Sequence, residues 1–463
     1  MNLFKNVLLN DFIVISYFCQ MPNSETPNVL IISYYWPPSS GSGVQRWMYF
    51  AKYLSDYGVT PLVLTVDPSK ASYRKIDEEF SDFVKDVKVY KTKTLEPLKL
   101  YSMLTTGSTK KGIPQGSVGA EKNGLFSKIS RYVRGNIFIP DARIGWKRYA
   151  VKAANKIIAN NNIDLIITTG PPHSTHLIGR VLKRKYAIKW IADFRDPWTE
   201  IYYNQDLLQS KKSKEKDGKL ELSVLNEANH ILTVGPSMAD LLMDKIPSQK
   251  SKFSYIYNGY DAKKMASVQS QKSNKYMTIS YIGLLTDAMP HSTISESLKL
   301  FIQQKKGANI KVRLAGDICT SFLDSIQSII PPNQIEILGY IPHREALNVM
   351  KSSDILFTCL PTQDHSKIMI SGKMLEYIAS GNSVLCIGNQ ESDAAKIIQN
   401  NAAGIVLSPS QIIEAKEFYI EKYNLWQSGK LDTNNNLEIQ SLTRYNTTKE
   451  LATLIKKLIS KEK

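Results

Sequence analysis

Cysteine is scarce in this 463-residue chain, with only Cys19, Cys319, Cys359 and Cys386, and no two of them close together. Such spacing excludes a disulfide scaffold and a zinc-finger pattern, and predicts reduced thiols in a cytoplasmic protein. Histidine is nearly as rare, at six residues. His173 and His176 are neighbours, but no cysteine or carboxylate beside them completes a ligand set, so no metal site is expected. No apolar run reaches the ~20 residues of a membrane-spanning helix. Residues 7–19 come closest, yet Asn10 and Asp11 interrupt them and no small-residue cleavage site follows, so they read as an extension ahead of a start at Met21. Acidic residues are in deficit, 42 against 59 lysines and arginines, giving a net charge of +17. That balance favours phosphate-rich ligands or an anionic membrane surface. Nothing resembles a nucleic-acid-binding motif, so nucleic acid is not an expected partner.

What the chain does contain is alternation of short apolar runs with helical patterns. Val29–Ser33 is a continuous apolar run, as a strand covered on both faces requires. A Pro/Ser/Gly turn follows, then Val44, Trp47, Ala51 and Leu54 recur at helical spacing before Gly58, and residues 61–66 form a second apolar run. This βαβ signal blurs between residues 69 and 145, where 105–124 read as a Gly/Ser/Lys-rich loop. It resumes with runs at 164–169, 189–193 and 230–234, and residues 255–261 read as a last strand. The lysine-rich stretch 211–219 reads as a solvated helix face or loop. Residues 262–275 are polar and aperiodic, as a linker would be. Further strands are expected near 277–283, 311–316, 335–340, 355–360, 383–388 and 404–407, with a final helix over about 437–461. The expected fold is α/β, with two doubly wound Rossmann-like domains facing a cleft. Its parts are an extension (1–27), a first domain (28–262), a second domain (276–436) and a closing helix (437–463).

Three clusters carry polar chemistry at strand ends. Gly41-Ser42-Gly43 sits between the first strand and first helix, where glycines admit a close ligand and helix-start amides favour an anion. It reads equally as a tight turn, and Arg46 stands where a dinucleotide fingerprint needs its third glycine. Ser371-Gly372-Lys373, followed by Glu376, opens a helix in the second domain. Amides and an ammonium suit a diphosphate, and a carboxylate one turn on suits a ribose diol. The alternative is a surface pair between Lys373 and Glu376 at i, i+3. The third cluster is TGPPHS with His173, followed by DFRDPW with Asp193 and Arg195. It reads as a cleft wall, or as a capping histidine beside a salt-bridged turn. The basic segment 128–148 could contact a membrane or be an ordinary basic surface.

Taken in order, VLIISYYWPPSSGSGVQRWMYF, IDLIITTGPPHSTHLIG, KWIADFRDPWTE, ISYIGLL, VRLAGD, IEILGYIPHREALNVM and SGKMLEYIASGNSVLCIG resemble family 4 glycosyltransferases of bacterial surface-polysaccharide assembly. The resemblance covers about residues 28–410. It implies the GT-B fold and retaining transfer from a nucleotide-sugar donor, such as a UDP- or GDP-sugar, to a glycan or lipid-linked acceptor. Capsule, O-antigen or exopolysaccharide synthesis would be the setting, with no metal or other cofactor. The enzyme would be cytoplasmic, touching the inner membrane face peripherally. By motif, Glu376 would hold the donor ribose and Ser371–Lys373 the diphosphate, with Lys367, Lys373 or Arg195 as its cation, and Gly283 would leave room beside it. Tyr340 and Ile341 would lie near the base. Gly41, Ser42, Gly43 and Asp193 would line the cleft from the first domain. His173, Arg195 and Lys373 would act at the transferring sugar and leaving diphosphate.

The chain departs from that family at two places. Ile368 replaces a second glutamate eight residues before Glu376. Leu284 and Ala288-Met289-Pro290 replace a common arginine and lysine after Gly283. A GT-B sugar-nucleotide epimerase would need more converging acids and histidines than the chain has. A silent partner or binding module would explain the missing charges.

Overall fold

The computed structural model describes residues 26–73, 76–96, 125–201, 207–362, 366–431 and 437–460. Almost all of the 1–27 extension and the loop at 105–124 lie outside them.

Two parallel sheets organise the chain. The first contains β1 (Asn28–Ile32), β2 (Thr60–Val66), β3 (Lys88–Thr92), β4 (Leu165–Gly170), β5 (Lys189–Phe194), β6 (His230–Thr233) and β7 (Phe253–Tyr255), in the order β3-β2-β1-β4-β5-β6-β7. The second contains β8 (Met277–Ile282), β9 (Ile310–Ala315), β10 (Ile335–Gly339), β11 (Ile355–Cys359), β12 (Ser383–Ile387) and β13 (Gly404–Leu407), in the order β10-β9-β8-β11-β12-β13. Each order reverses once, between β1 and β4 and between β8 and β11. Ligands of doubly wound sheets bind beyond the strand ends at such a reversal.

Helices cover both faces of the sheets. In the first half these are α1 (Ser42–Leu54), α2 (Glu78–Phe83), α3 (Leu125–Asn136), α4 (Lys147–Asn160), α5 (Ser174–Tyr186), α6 (Lys211–Glu227) and α7 (Pro236–Met243). The second half carries α8 (Ala262–Ser267), α9 (Ser292–Gln304), α10 (Thr320–Ile329), α11 (His343–Lys351), α12 (Gly372–Ala379), α13 (Asp393–Asn400) and α14 (Ile412–Gln427), and the chain closes with α15 (Arg444–Ser460). Continuous burial of Val29, Leu30, Ile31 and Ile32 reflects this double coverage. Each such side chain contributes about 1.5–3 kcal/mol by leaving water.

Three expectations from the sequence need correction. β3 and α2 lie in the stretch where the pattern blurred; β3 is an edge strand of sequence KVYKT with no fully buried residue, so its apolar signal is weak. The strand expected over 255–261 ends at Tyr255, because Ile256 is the last residue to pair its amide with β6, at Thr233. The expected linker opens with α8, capped by the Asp261 carboxylate accepting from the Lys264 amide, and Met265 and Val268 enter the second domain's core. The lysine-rich stretch is the solvated face expected of it: it belongs to a 17-residue helix, α6, whose lysines are exposed while Ser213 and Asp217 are buried. Helix α15 returns to the first sheet: Leu451, Ala452 and Ile455 share a core with Val44 and Trp47 of α1.

Candidate active site

The loops after β1, β4 and β5 meet at the first reversal. Gly41 has a φ of 118°, a left-handed conformation that favours glycine, and it turns the chain into α1. Ser42 is the first residue of that helix. Gly43 lies under Arg195: a Cβ there would come within 2.8 Å of Nη1. Arg195 is fixed by donating from Nε to Thr169 Oγ1 at 3.1 Å and from Nη2 to the Pro171 carbonyl. A guanidinium therefore rests on the amino end of a helix, beside Gly41–Gly43. Positive charge and free amides together suit an anionic group.

Asp193 does not face the cleft. It is fully buried, with Oδ1 accepting from Arg46 Nε and Nη2 at 3.2 and 3.0 Å. Oδ2 accepts from Trp47 Nε1 at 2.7 Å and from Thr169 Oγ1 at 2.8 Å. Arg46 is 2% exposed and also donates to the Ile256 carbonyl at 2.7 Å. The residue that breaks the glycine fingerprint is thus the ion partner that ties α1 to β5. Both its charge and that of Asp193 are used internally.

His173 is also less open than expected. It immediately precedes α5, stacks on Trp198 at 5.0 Å between centroids, and is 7% exposed. Its Nε2 lies 3.2 Å from the Pro197 carbonyl, which can only accept, so Nε2 carries the proton. Nδ1 is buried and unpartnered, as is His176 Nε2. Burial holds the His173 pKa down at about 3, so the ring is neutral at physiological pH. The expected catalytic role is revised: this neutral ring packs the wall that carries Arg195. Gly170 makes the packing possible, since a Cβ there would lie 2.6 Å from His176 Nε2 and 2.8 Å from His173 Nδ1. Gly170→Ala should cost about 1–3 kcal/mol through overpacking. Urea denaturation would measure this, and an unchanged midpoint would refute the packing account.

In the second domain Lys373 occupies the start of α12. Its Nζ donates to Tyr281 Oη at 2.6 Å and lies 3.8 Å from that ring's centroid. A Cβ at Gly283, whose φ is 124°, would come 3.3 Å from Nζ. Burial draws the Lys373 pKa down to about 8. Ser371 precedes α12 without a side-chain cap bond, and the helix proper begins at Gly372. Glu376 does not pair with Lys373. It accepts from His343 Nε2 at 2.9 Å, His343 being the first residue of α11. The surface-pair reading therefore fails, because Lys373 turns inward to Tyr281. His343 was missed by sequence reasoning; only packing of α11 on α12 brings it to Glu376. Lys367 lies out on the surface, paired with Glu391 at 2.6 Å. Tyr340 is 82% exposed, and Ile341 packs on the second domain's core.

The two halves touch directly where Asp393 of α13 accepts from the Ser237 amide and hydroxyl at 3.0 and 2.6 Å. Ile368, standing where a family glutamate is common, packs on the first domain's core.

Residues 115–264 match the family model described as Glycosyltransferase Family 4. The chain has the GT-B fold. Several solved structures share this fold along nearly the whole length of the chain. HepE of Anabaena, in complex with UDP-glucose, superposes with a TM-score of 0.55 at 10% identity, covering 93% of this chain and 99% of that one. Sucrose-phosphate synthase of Thermosynechococcus elongatus gives 0.58 at 11% identity, covering 94% and 99%. The lipopolysaccharide outer core galactosyltransferase WaaB, in its apo form, gives 0.55 at 11% identity, covering 93% and 99%. No curated protein matches the chain in sequence. Among the described residues, no helix is long and apolar enough to cross a membrane.

Proposed function

We propose that the enzyme transfers a sugar from a nucleotide-sugar donor, with retention of configuration, to a glycan or lipid-linked acceptor in surface-polysaccharide synthesis. The observation that carries the reading is the partly buried ammonium of Lys373 beside Gly283, with Glu376 one turn further on and braced by His343. In this reading the amino end of α12 and Lys373 hold the donor diphosphate, and Glu376 accepts from the two ribose hydroxyls. His343 is a positioning residue for Glu376. Negative charge builds on the leaving diphosphate during transfer, and a fixed cation in a water-poor site stabilises it strongly. The acceptor approaches from the first domain, where Arg195 over Gly43 suits a phosphate carried by the acceptor or donor. Supporting the setting, WaaB acts on lipopolysaccharide and HepE binds UDP-glucose in the same fold.

The test is a thermal-shift series with UDP-, GDP-, ADP-, CMP- and dTDP-sugars on the wild type and on Glu376→Ala. One base should raise the melting temperature, since a ligand that binds only the native state stabilises it. Glu376→Ala should remove most of that shift, and His343→Ala part of it. Absence of a shift with every donor would overturn the reading in favour of a silent partner. NMR of the product's anomeric proton decides retention.

A further inference from the structure

Behind the donor strands lies a second group of chemically active side chains. Asp287 and His291 come from the loop after β8, and Cys319 immediately precedes α10 in the loop after β9. One ligand atom from each lies within 4.8 Å of the others. Ser321 sits among all three: its hydroxyl contacts Asp287 Oδ1, lies 3.3 Å from His291 Nε2 and 3.4 Å from Cys319 Sγ. His291 Nε2 and Asp287 Oδ1 are 3.9 Å apart. The edges of a tetrahedral zinc site with sulfur, nitrogen and oxygen ligands are roughly 3.3–3.6 Å, from its bond lengths. The Asp287–His291 edge is a few tenths of an ångström longer than that, and all three ligand atoms lie within 4.8 Å of one another, so side-chain rotation would have to draw them together around an ion.

The surrounding backbone is already organised. Leu285 and Ile318 form a bridge between the two loops, the Leu285 amide donates to the Asp317 carbonyl at 2.8 Å, and the Cys319 amide donates to the Leu285 carbonyl at 2.9 Å. The His291 ring is set by edge contact with Phe322 at 5.5 Å. A thiolate, an imidazole and a carboxylate on a rigid pair of loops form a mixed donor set that suits zinc rather than magnesium or calcium, which take oxygen.

We propose that Asp287, His291 and Cys319 bind a zinc ion, with the Ser321 hydroxyl or a water as fourth ligand, and that the ion clips the loop following Gly283 to the start of α10. On coordination the Cys319 thiol loses its proton to solvent and an S–Zn bond forms; nothing is oxidised or reduced. The clip steadies the loop in which Leu284 and Ala288–Pro290 stand where relatives commonly carry cations. The zinc site itself does not depend on the donor reading.

Cobalt is the probe, added to chelator-treated full-length protein. One equivalent should give the strong visible absorption of tetrahedral cobalt together with a thiolate-to-cobalt charge-transfer band, and zinc should bleach both. Cys319→Ser should abolish the charge-transfer band, and His291→Ala should weaken zinc at least about tenfold. Asp287→Asn is the safeguard against misfolding, since that side chain is 75% exposed; it should weaken zinc while leaving the metal-free melting temperature unchanged. Zinc should raise the melting temperature of the wild type but not of Cys319→Ser. A charge-transfer band that persists in Cys319→Ser, or only weak octahedral cobalt absorption in the wild type, overturns the proposal.

Discussion

Lys373→Met should slow sugar transfer by about 10²–10³ while making the protein more stable. Its ammonium is partly buried against Tyr281, and that burial holds its pKa near 8 rather than the ordinary 10.5. The charge is therefore costly in the free enzyme and useful only when an anion arrives. Removing a preorganised electrostatic group of this kind costs about 10²–10³ in turnover. Replacing a poorly paired buried charge with an apolar side chain of similar length should gain on the order of 1–3 kcal/mol, less what the cation–π contact contributes. Differential scanning calorimetry and a donor-turnover assay measure the two effects on the same preparation. A destabilised but active variant would remove Lys373 from the site.

The same residue predicts a pH dependence with two opposite signs. Between pH 8 and 10.5 the unfolded chain holds the Lys373 proton while the folded chain has released it. The unfolded state then binds more protons, so this group makes folding more favourable as pH rises through that window. Donor affinity should move the other way, falling as pH rises above about 8, because the neutral amine no longer attracts a diphosphate. Both trends should vanish in Lys373→Met.

The second large effect is structural. Asp193→Ala should destabilise the first domain by about 3–5 kcal/mol, because it leaves the Arg46 guanidinium buried without its counter-charge. It also strands the Trp47 Nε1 and Thr169 Oγ1 donors. Asp193→Asn should fall between, since its carbonyl oxygen still accepts while its amide opposes one of those donors. The double change Arg46→Met with Asp193→Leu should recover much of the loss, as it leaves no charge unpaired. Urea titration of the three variants settles the order. A cost below about 1 kcal/mol for Asp193→Ala would mean that water or another group already satisfies Arg46.

These predictions mark where local sequence and long-range packing each have their say. Continuous runs such as VLII and SVLCI announce strands because a strand buried on both faces must be apolar at every position. Glycines at 41, 43, 170 and 283 announce strand-end turns, and the two-domain α/β architecture follows from the alternation alone. Edge strand β3 stays hidden because its half-exposed Val89 and Tyr90 stand side by side between two lysines, without the period-2 alternation that marks a strand. Helix α8 stays hidden because six residues are too few to show a period.

Side-chain roles required the fold. Arg46 and Asp193 are 147 positions apart, so nothing local distinguishes a cleft carboxylate from a core ion pair. Nor does spacing reveal that Lys373 turns toward Tyr281, 92 positions away, instead of toward Glu376, or that His343 braces Glu376. Asp287, His291 and Cys319 likewise become a group only when β8 and β9 lie side by side. The sequence by itself determined the alternation of elements and the loops that reach the cleft, since hydrophobic period and turn chemistry act over a few residues. The tertiary structure alone decided which charges are spent inside the protein and which remain for a ligand, because charge pairing depends on distance in space.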